Sequence, residues 1–209
     1  MYRIYPLFFF VCGVFGQISL KGECDYATTN YTETVNLTQM YGTWHQISRI
    51  GNKMEIGDCS TLTISKPEGS GDTLFSHSEV FNKTELTMNG TIGELEDSPG
   101  WLLMKFSDFS LNFVMLSTKV PGVAVIYSCH AFQNSTKQVW AWQYNRNATL
   151  SSEERDTLDQ IITSQPDLKD AAWRETNHTS TVCGNAGVRL PTPQVLTVLA
   201  LVFLAKEFV

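Results

Sequence analysis

A chain of 209 residues with a formal net charge of −6 and 17% charged residues lacks the basic stripe that a nucleic-acid footprint needs to replace phosphate counterions. The acidic balance fits a soluble chain and says little more. About 170 residues lie between two apolar ends, the size of one domain.

The first end reads as a signal peptide over residues 1–16. Arg3 is its one basic residue, Leu7 to Phe15 is its apolar run, and Val14 and Gly16 suit the small-residue positions before a cleavage site. The run is shorter than the roughly 20 residues of a transmembrane helix, so the mature chain is expected to start at Gln17 and the domain to span 17–183.

Short β-type runs follow, separated by turn residues. They are predicted at Gly42–Arg49, Cys59–Ser65, Leu74–Phe81, Leu86–Glu94, Trp101–Phe106, Phe113–Ser117, Val123–Ala131 and Lys137–Tyr144. In the second run Leu62 and Ile64 alternate with Thr61, Thr63 and Ser65, the period of a half-buried strand. Pro67 to Asp72, Glu96 to Gly100, Val120 to Gly122 and Gln133 to Thr136 supply turns. Eight strands at this spacing predict an all-β sandwich or an up-and-down antiparallel barrel. Closure into a barrel removes exposed edges and leaves an interior for one small ligand. One helix is predicted next: Ser151 and Glu154 form a capping box, Leu158, Ile161 and Ile162 share a face, and Pro166 ends it. Its apolar stripe belongs against the outside of the barrel.

Of the five cysteines, Cys12 lies in the signal peptide. Cys24, Cys59, Cys129 and Cys183 remain, enough for two disulfides in any of three connectivities. No Cys-x-x-Cys and no Cys/His cluster occurs, so neither a metal nor a cofactor is expected. Asn-x-Ser/Thr acceptors stand at Asn30, Asn36, Asn82, Asn89, Asn134, Asn147 and Asn177, as in a glycoprotein of the secretory route.

Three segments carry a family resemblance. Asn36 to Trp44 contains Gly42-Thr43-Trp44 at the start of the first barrel strand; Ala124 to Cys129 lies on the seventh; Trp140 to Asn147 lies on the last, ahead of Leu150 and the capped helix. Together they resemble the apolipoprotein D and Lazarillo branch of the lipocalins, over nearly all of Glu23–Cys183. The resemblance implies an eight-stranded barrel plugged at one end by Trp44, with the Arg146 guanidinium across its indole. It also implies the pairings Cys24–Cys129 and Cys59–Cys183. The chain departs from the family at Thr118, Lys119 and Val120, where members often carry Thr-Asp-Tyr, and at His45, where a Tyr is usual. A lone histidine there is expected to be a surface or satisfied residue.

If Arg146 points inward, alternation along the last strand turns Tyr144, Trp142 and Trp140 inward as well. To reach Cys24, Cys129 must face out, which leaves Ile126, Ser128 and His130 facing in; Phe113 and Met115 share one face of their own strand. These eight are the expected ligand-binding residues, although aromatics in a small barrel also serve as plain core. The expected function is an extracellular carrier or sequestering protein for a small hydrophobic ligand: lipid, steroid, retinoid or bilin. An enzyme is not expected. No thiol is left free, Gly69-Ser70-Gly71 reads as a hairpin turn, and Glu153 and Glu154 suit a helix N-terminus.

Beyond Cys183 the composition changes. Gly184, Asn185, Ala186 and Gly187 are small, Val188–Gln194 is a spacer, and Val195–Ala205 is apolar. That is the layout of a glycosylphosphatidylinositol (GPI) signal over 184–209, with Asn185 as attachment residue, although Lys206 and Glu207 depart from the usual apolar end. A surface-anchored glycoprotein that meets a cell-surface protein partner through its outer loops is the alternative use of the same scaffold.

Overall fold

The computed structural model describes residues 18–24, 37–50, 55–66, 69, 71–95, 98, 100–117, 120–184 and 188–190. Within them the eight expected strands are present. In chain order the elements are β1 (Ile18–Lys21), a 3-10 turn at Leu37–Met40, β2 (Gly42–Ile50), β3 (Asp58–Ser65), β4 (Thr73–Phe81), β5 (Thr84–Glu94), β6 (Leu102–Lys105), β7 (Ser110–Ser117), β8 (Val123–Phe132), β9 (Thr136–Asn145), α1 (Ser152–Ser164), β10 (Trp173–Glu175), α2 (Ser180–Cys183) and β11 (Val188–Leu190). Strands β2 to β9 pair antiparallel with their neighbours in order, and β9 returns to β2 to close the barrel.

The closing seam is shared. The last residues of β9 pair with β2, His45 opposite Asn145 and Arg49 opposite Trp142, while its first residues pair with β1, Ile18 opposite Val139. A bulge between Gln46 and Ser48 interrupts the β2–β9 register. It inserts one extra residue, which reverses the facing of everything beyond it. Gln46 and Arg49 therefore both sit opposite inward residues, and Ile50 joins the outer cluster. Where β3 leaves β2 after His45, β10 takes over the vacated edge opposite Ser48–Ile50.

Alternation divides the apolar side chains into two bodies. Trp44, Leu62, Ile64, Phe75, Phe113, Ile126, Trp142 and Tyr144 fill the inside. Val114, Leu116, Val125, Tyr127, Val139 and Ala141 face outward beneath the helix residues Leu158 and Ile162. Helix α1 starts on the capping box: the Ser151 hydroxyl accepts from Glu154 N, and the Glu154 carboxylate accepts from Ser151 N. Asp167 just after it accepts from both the Tyr127 hydroxyl at 2.8 Å and Lys137 Nζ at 2.6 Å, which holds the helix end to the wall.

Two disulfides tie the flanks to the barrel: Cys24 with Cys129, and Cys59 with Cys183. Their sequence separations are 105 and 124 residues, and closing loops of that length restricts the unfolded chain most. Among the described residues no helix is long and apolar enough to cross a membrane. Residues 188–190 pair in parallel with Thr84–Leu86 of β5. The expected signal peptide, Asn30, Asn36, Asn185, Thr118, Lys119 and the apolar run at 195–205 lie outside the described residues.

Candidate ligand cavity

One end of the barrel is shut. The 3-10 turn crosses it, and Trp44 Nε1 donates to Met40 O at 2.9 Å. Arg146, just beyond β9, sets its guanidinium carbon 3.7 Å from the centre of the Trp44 ring. Its Nη1 donates to Thr43 O, and its Nη2 to Gln39 O and Tyr41 O. Gly42 adopts φ +98°, and a Cβ there would stand 3.2 Å from Arg146 Nη1. Positive φ at no steric cost and the close approach of a cation both ask for glycine. His45 faces away and meets His178 edge to face, with ring centroids 5.5 Å apart. Burial and then the neighbouring His178 hold its imidazole below the ordinary histidine value.

Toward the other end the interior opens into a cavity of about 50 Å³. Ile126, Trp142 and Tyr144 line it from β8 and β9, Phe113 and Leu111 from β7, and Met88, Met104, Phe106 and Phe109 complete its apolar lining. Phe106 stacks on Phe109 with centroids 4.2 Å apart and meets Phe75 edge to face. Four of the eight expected residues thus line the cavity: Phe113, Ile126, Trp142 and Tyr144. Trp140 and Met115 are buried in the same interior cluster without lining the space. Ser128 is buried, and its hydroxyl donates to Asn112 O at 2.7 Å, so its polar group is used by the wall. The inward placement of His130 is corrected: it lies where β8 runs past the core, is exposed, and packs edge to face on Phe132.

The cavity's polar side was not anticipated. Glu55, in the segment joining β2 to β3, folds back into the barrel and is 8% exposed. Its Oε2 accepts from Trp142 Nε1 at 2.5 Å, and its Oε1 lies 3.3 Å from His77 Nε2. Behind it stands Arg49, fully buried, whose Nε is 3.8 Å from Glu55 Oε2. The rest of that guanidinium is committed: Nη1 donates to Gln46 Oε1 at 2.6 Å, and Nη2 to Glu55 O and Gly57 O. Glu79, also buried, accepts from the backbone N–H groups of Ile56 and Gly57 at 3.2 and 3.0 Å. Residues 55–57 are held from both sides, and a Cβ on Gly57 would come within 2.6 Å of Val80 O.

Burial governs the electrostatics here. It pushes the Glu79 carboxyl above its ordinary value, with His77 opposing, and lowers Arg49, with Glu55 opposing. Burial, followed by Glu55, also raises the Tyr144 phenol, with Gln46 opposing. Among the described residues no group of three or more His, Cys, Asp and Glu is arranged to hold a metal ion.

A closed antiparallel barrel with an apolar cavity, one plugged end and one outer helix is the architecture of a lipocalin, and the comparisons agree. The sequence profile of the lipocalin / cytosolic fatty-acid binding protein family matches residues 41–176, and the chain belongs to that family. It is similar to apolipoprotein D of Macaca fascicularis, at 29% identity over 159 residues that cover 71% of this chain and 79% of that one. Apolipoprotein D of Rattus norvegicus matches at 27% identity with the same coverage. Among solved structures, insecticyanin of the tobacco hornworm Manduca sexta superposes with a TM-score of 0.70 at 21% identity, covering 84% of this chain and 96% of that one. Lobster apocrustacyanin A1 superposes with a TM-score of 0.64 at 17% identity, covering 78% and 92%.

Proposed function

We propose that the protein binds and carries, or sequesters, a small hydrophobic molecule in the barrel cavity. The observation that carries this reading is the cavity itself: apolar walls from six strands, one end sealed by Trp44 and Arg146, and a few convergent polar groups, the make-up of a small-molecule site. Its about 50 Å³ is well below the roughly 300 Å³ at which ligand pockets begin, so a ligand must displace side chains on entry. Met88 and Met104 line the cavity, half-buried, and methionine's three rotatable bonds let it move aside or refill the space.

The exported setting is part of the same reading. All five described glycosylation acceptors, Asn82, Asn89, Asn134, Asn147 and Asn177, are exposed, and the two disulfides suit an oxidising compartment. Cleavage after residue 16 and exchange of the tail at Asn185 for a GPI anchor would place the mature domain at the outer cell surface. Phosphatidylinositol-specific phospholipase C should then release it from cells, and full recovery in untreated medium would remove the anchor from the account.

The ligand test is direct. Organic extracts of protein purified from its native source should yield a stoichiometric hydrophobic compound by mass spectrometry, and the emptied protein should rebind it saturably. An empty protein that also fails to bind fatty acids, sterols, retinoids and bilins overturns the carrier reading.

A further inference from the structure

Resting on the exported part of the proposed function, we infer that Asn82 and Asn134 carry N-linked glycans that belong to the folded structure, the first sugar of each packing on a phenylalanine, Phe81 and Phe132, at the rim of the barrel. In the transfer, the side-chain amide nitrogen of the asparagine attacks C1 of a polyprenyl-diphosphate-linked oligosaccharide. An N–C1 bond forms, the C1–O bond to the diphosphate breaks, and the amide proton leaves with the lipid diphosphate.

The same arrangement occurs twice. The β4–β5 hairpin pairs Phe81 with Thr84 across the two-residue loop Asn82-Lys83, and φ is positive at both loop residues, +48° and +65°, as in a type I′ turn. The β8–β9 hairpin pairs Phe132 with Thr136 across the three-residue loop Gln133-Asn134-Ser135, with Ser135 at φ +54°, the left-handed residue that such loops use. In each, the asparagine sits in the loop and the phenylalanine closes it opposite the threonine of the Asn-x-Thr acceptor. Residues directly opposite share a face of the sheet, so aromatic ring and acceptor threonine stand together beside the attachment point. At the other five acceptors neither of the two preceding residues is aromatic.

Burial is the independent second observation. Phe81 and Phe132 are 38% and 46% exposed, and among the described residues they are the only phenylalanines in the exposed class of large hydrophobics. The C–H face of N-acetylglucosamine suits the electron-rich face of such a ring, and covering it removes apolar area from water. Phe132 already rests edge to face on His130, which fixes the ring for a sugar on its other side. Beside Phe81 there is also room. A surface groove of about 410 Å³ is lined by Asn82 itself, with Ile56 and Phe81 as apolar wall and Asp58, Lys83 and Arg174 among its polar groups. A glycan on Asn82 is tethered inside that groove, so it fills it without the association cost of a free partner. Lys83 adds a reason for such packing: type I′ turns favour glycine where it stands, and a lysine held at positive φ costs stability.

The experiment starts with the natural full-length chain made in animal cells and mapped by glycopeptide mass spectrometry. Asn82 and Asn134 should both be modified. Bare Asn82 and Asn134 in a chain modified at Asn89, Asn147 or Asn177 overturn the inference and leave the exported reading standing. A chain with no glycan on any acceptor contradicts both. Packing is tested by coupling. Asn82→Gln should lower the melting temperature by about 2–4 °C in the natural chain and by under about 1 °C in Phe81→Ser, and Asn134→Gln should behave likewise with Phe132→Ser. Any strain of glutamine in the loop is common to both backgrounds and cancels in the comparison. Asn147→Gln, with no aromatic platform, should shift it by under about 1 °C. Equal losses with and without the phenylalanine overturn the packing, whatever the occupancy. Occupancy in the natural chain is read without any substitution, so a variant that fails to fold does not rescue the inference from bare acceptors.

Discussion

Where β2 begins, a cation covers an indole at the rim and takes its hydrogen bonds from three backbone carbonyls. Where β2 ends, a cation of the same type is fully buried and faces two carboxylates, an amide and two carbonyls. Arg146 is half-buried and gives up only part of its hydration, less than Arg49, and its contacts add to stability. Arg49 has lost its hydration entirely, and its network repays that cost only if every member stays paired. One end is a seal that tolerates weakening. The other is a latch in which each charge depends on the next, and it forms a wall of the cavity.

This contrast orders the expected effects of substitution. Arg49→Met leaves Glu55 and Glu79 buried without their cation and should cost about 3–5 kcal/mol, as breaking a buried pair does, read as a lower urea midpoint. A loss of under about 1 kcal/mol would mean that the latch is wet and the two ends are alike. Arg146→Ala should cost about 1–2 kcal/mol, with the fold retained by circular dichroism. An unchanged melting temperature would reduce Arg146 to a surface charge.

The smallest effect is on pH dependence. Because burial raises the Glu79 carboxyl, the folded state binds that proton more tightly than the unfolded one. Its contribution is fully present below the ordinary value of 4.5 and is lost as pH rises through the raised folded value. Glu79→Gln should therefore flatten the fall in melting temperature that the natural chain shows as pH climbs above 4.5. Arg146→Ala should leave that slope alone. Equal slopes in the natural chain and Glu79→Gln would place no titrating carboxyl in the latch.

The two ends also differed in what the sequence disclosed. Gly42, Trp44, Arg146 and the capping box at Ser151 were legible because each depends on residue types at fixed positions near strand or helix ends. The inward facing of Trp142, Tyr144 and Ile126 followed from alternation counted from Arg146 and Cys129, whose placements the family resemblance implied. The latch did not follow. Alternation counted from Trp44 turns Ser48 and Ile50 inward, and only the bulge after Gln46 gives that facing to Arg49. Glu55 reaches the cavity from a connecting segment with no periodicity to read. His77 was within reach, since Phe75, His77 and Glu79 alternate along β4. His130 failed for the opposite reason: the parity held, but the strand outlasts the core it was counted against. Strands β1 and β10 are too short to leave a pattern, and they exist because the barrel seam offers them an unpaired edge.

The central claim is that a hydrophobic ligand sits inside the barrel against Trp142. Of the five tryptophans, Trp44 lies in the plug, Trp101 packs on Tyr127 in the outer cluster, Trp140 is buried beside the cavity, and Trp173 is on β10 outside the barrel. Titration of one saturating apolar ligand against the natural chain, Trp142→Phe and Trp173→Phe separates them by emission. The account predicts saturable quenching in the natural chain, retained in Trp173→Phe and mostly lost in Trp142→Phe. Quenching that survives Trp142→Phe in full and disappears in Trp173→Phe would put the ligand on the outer surface and contradict the account.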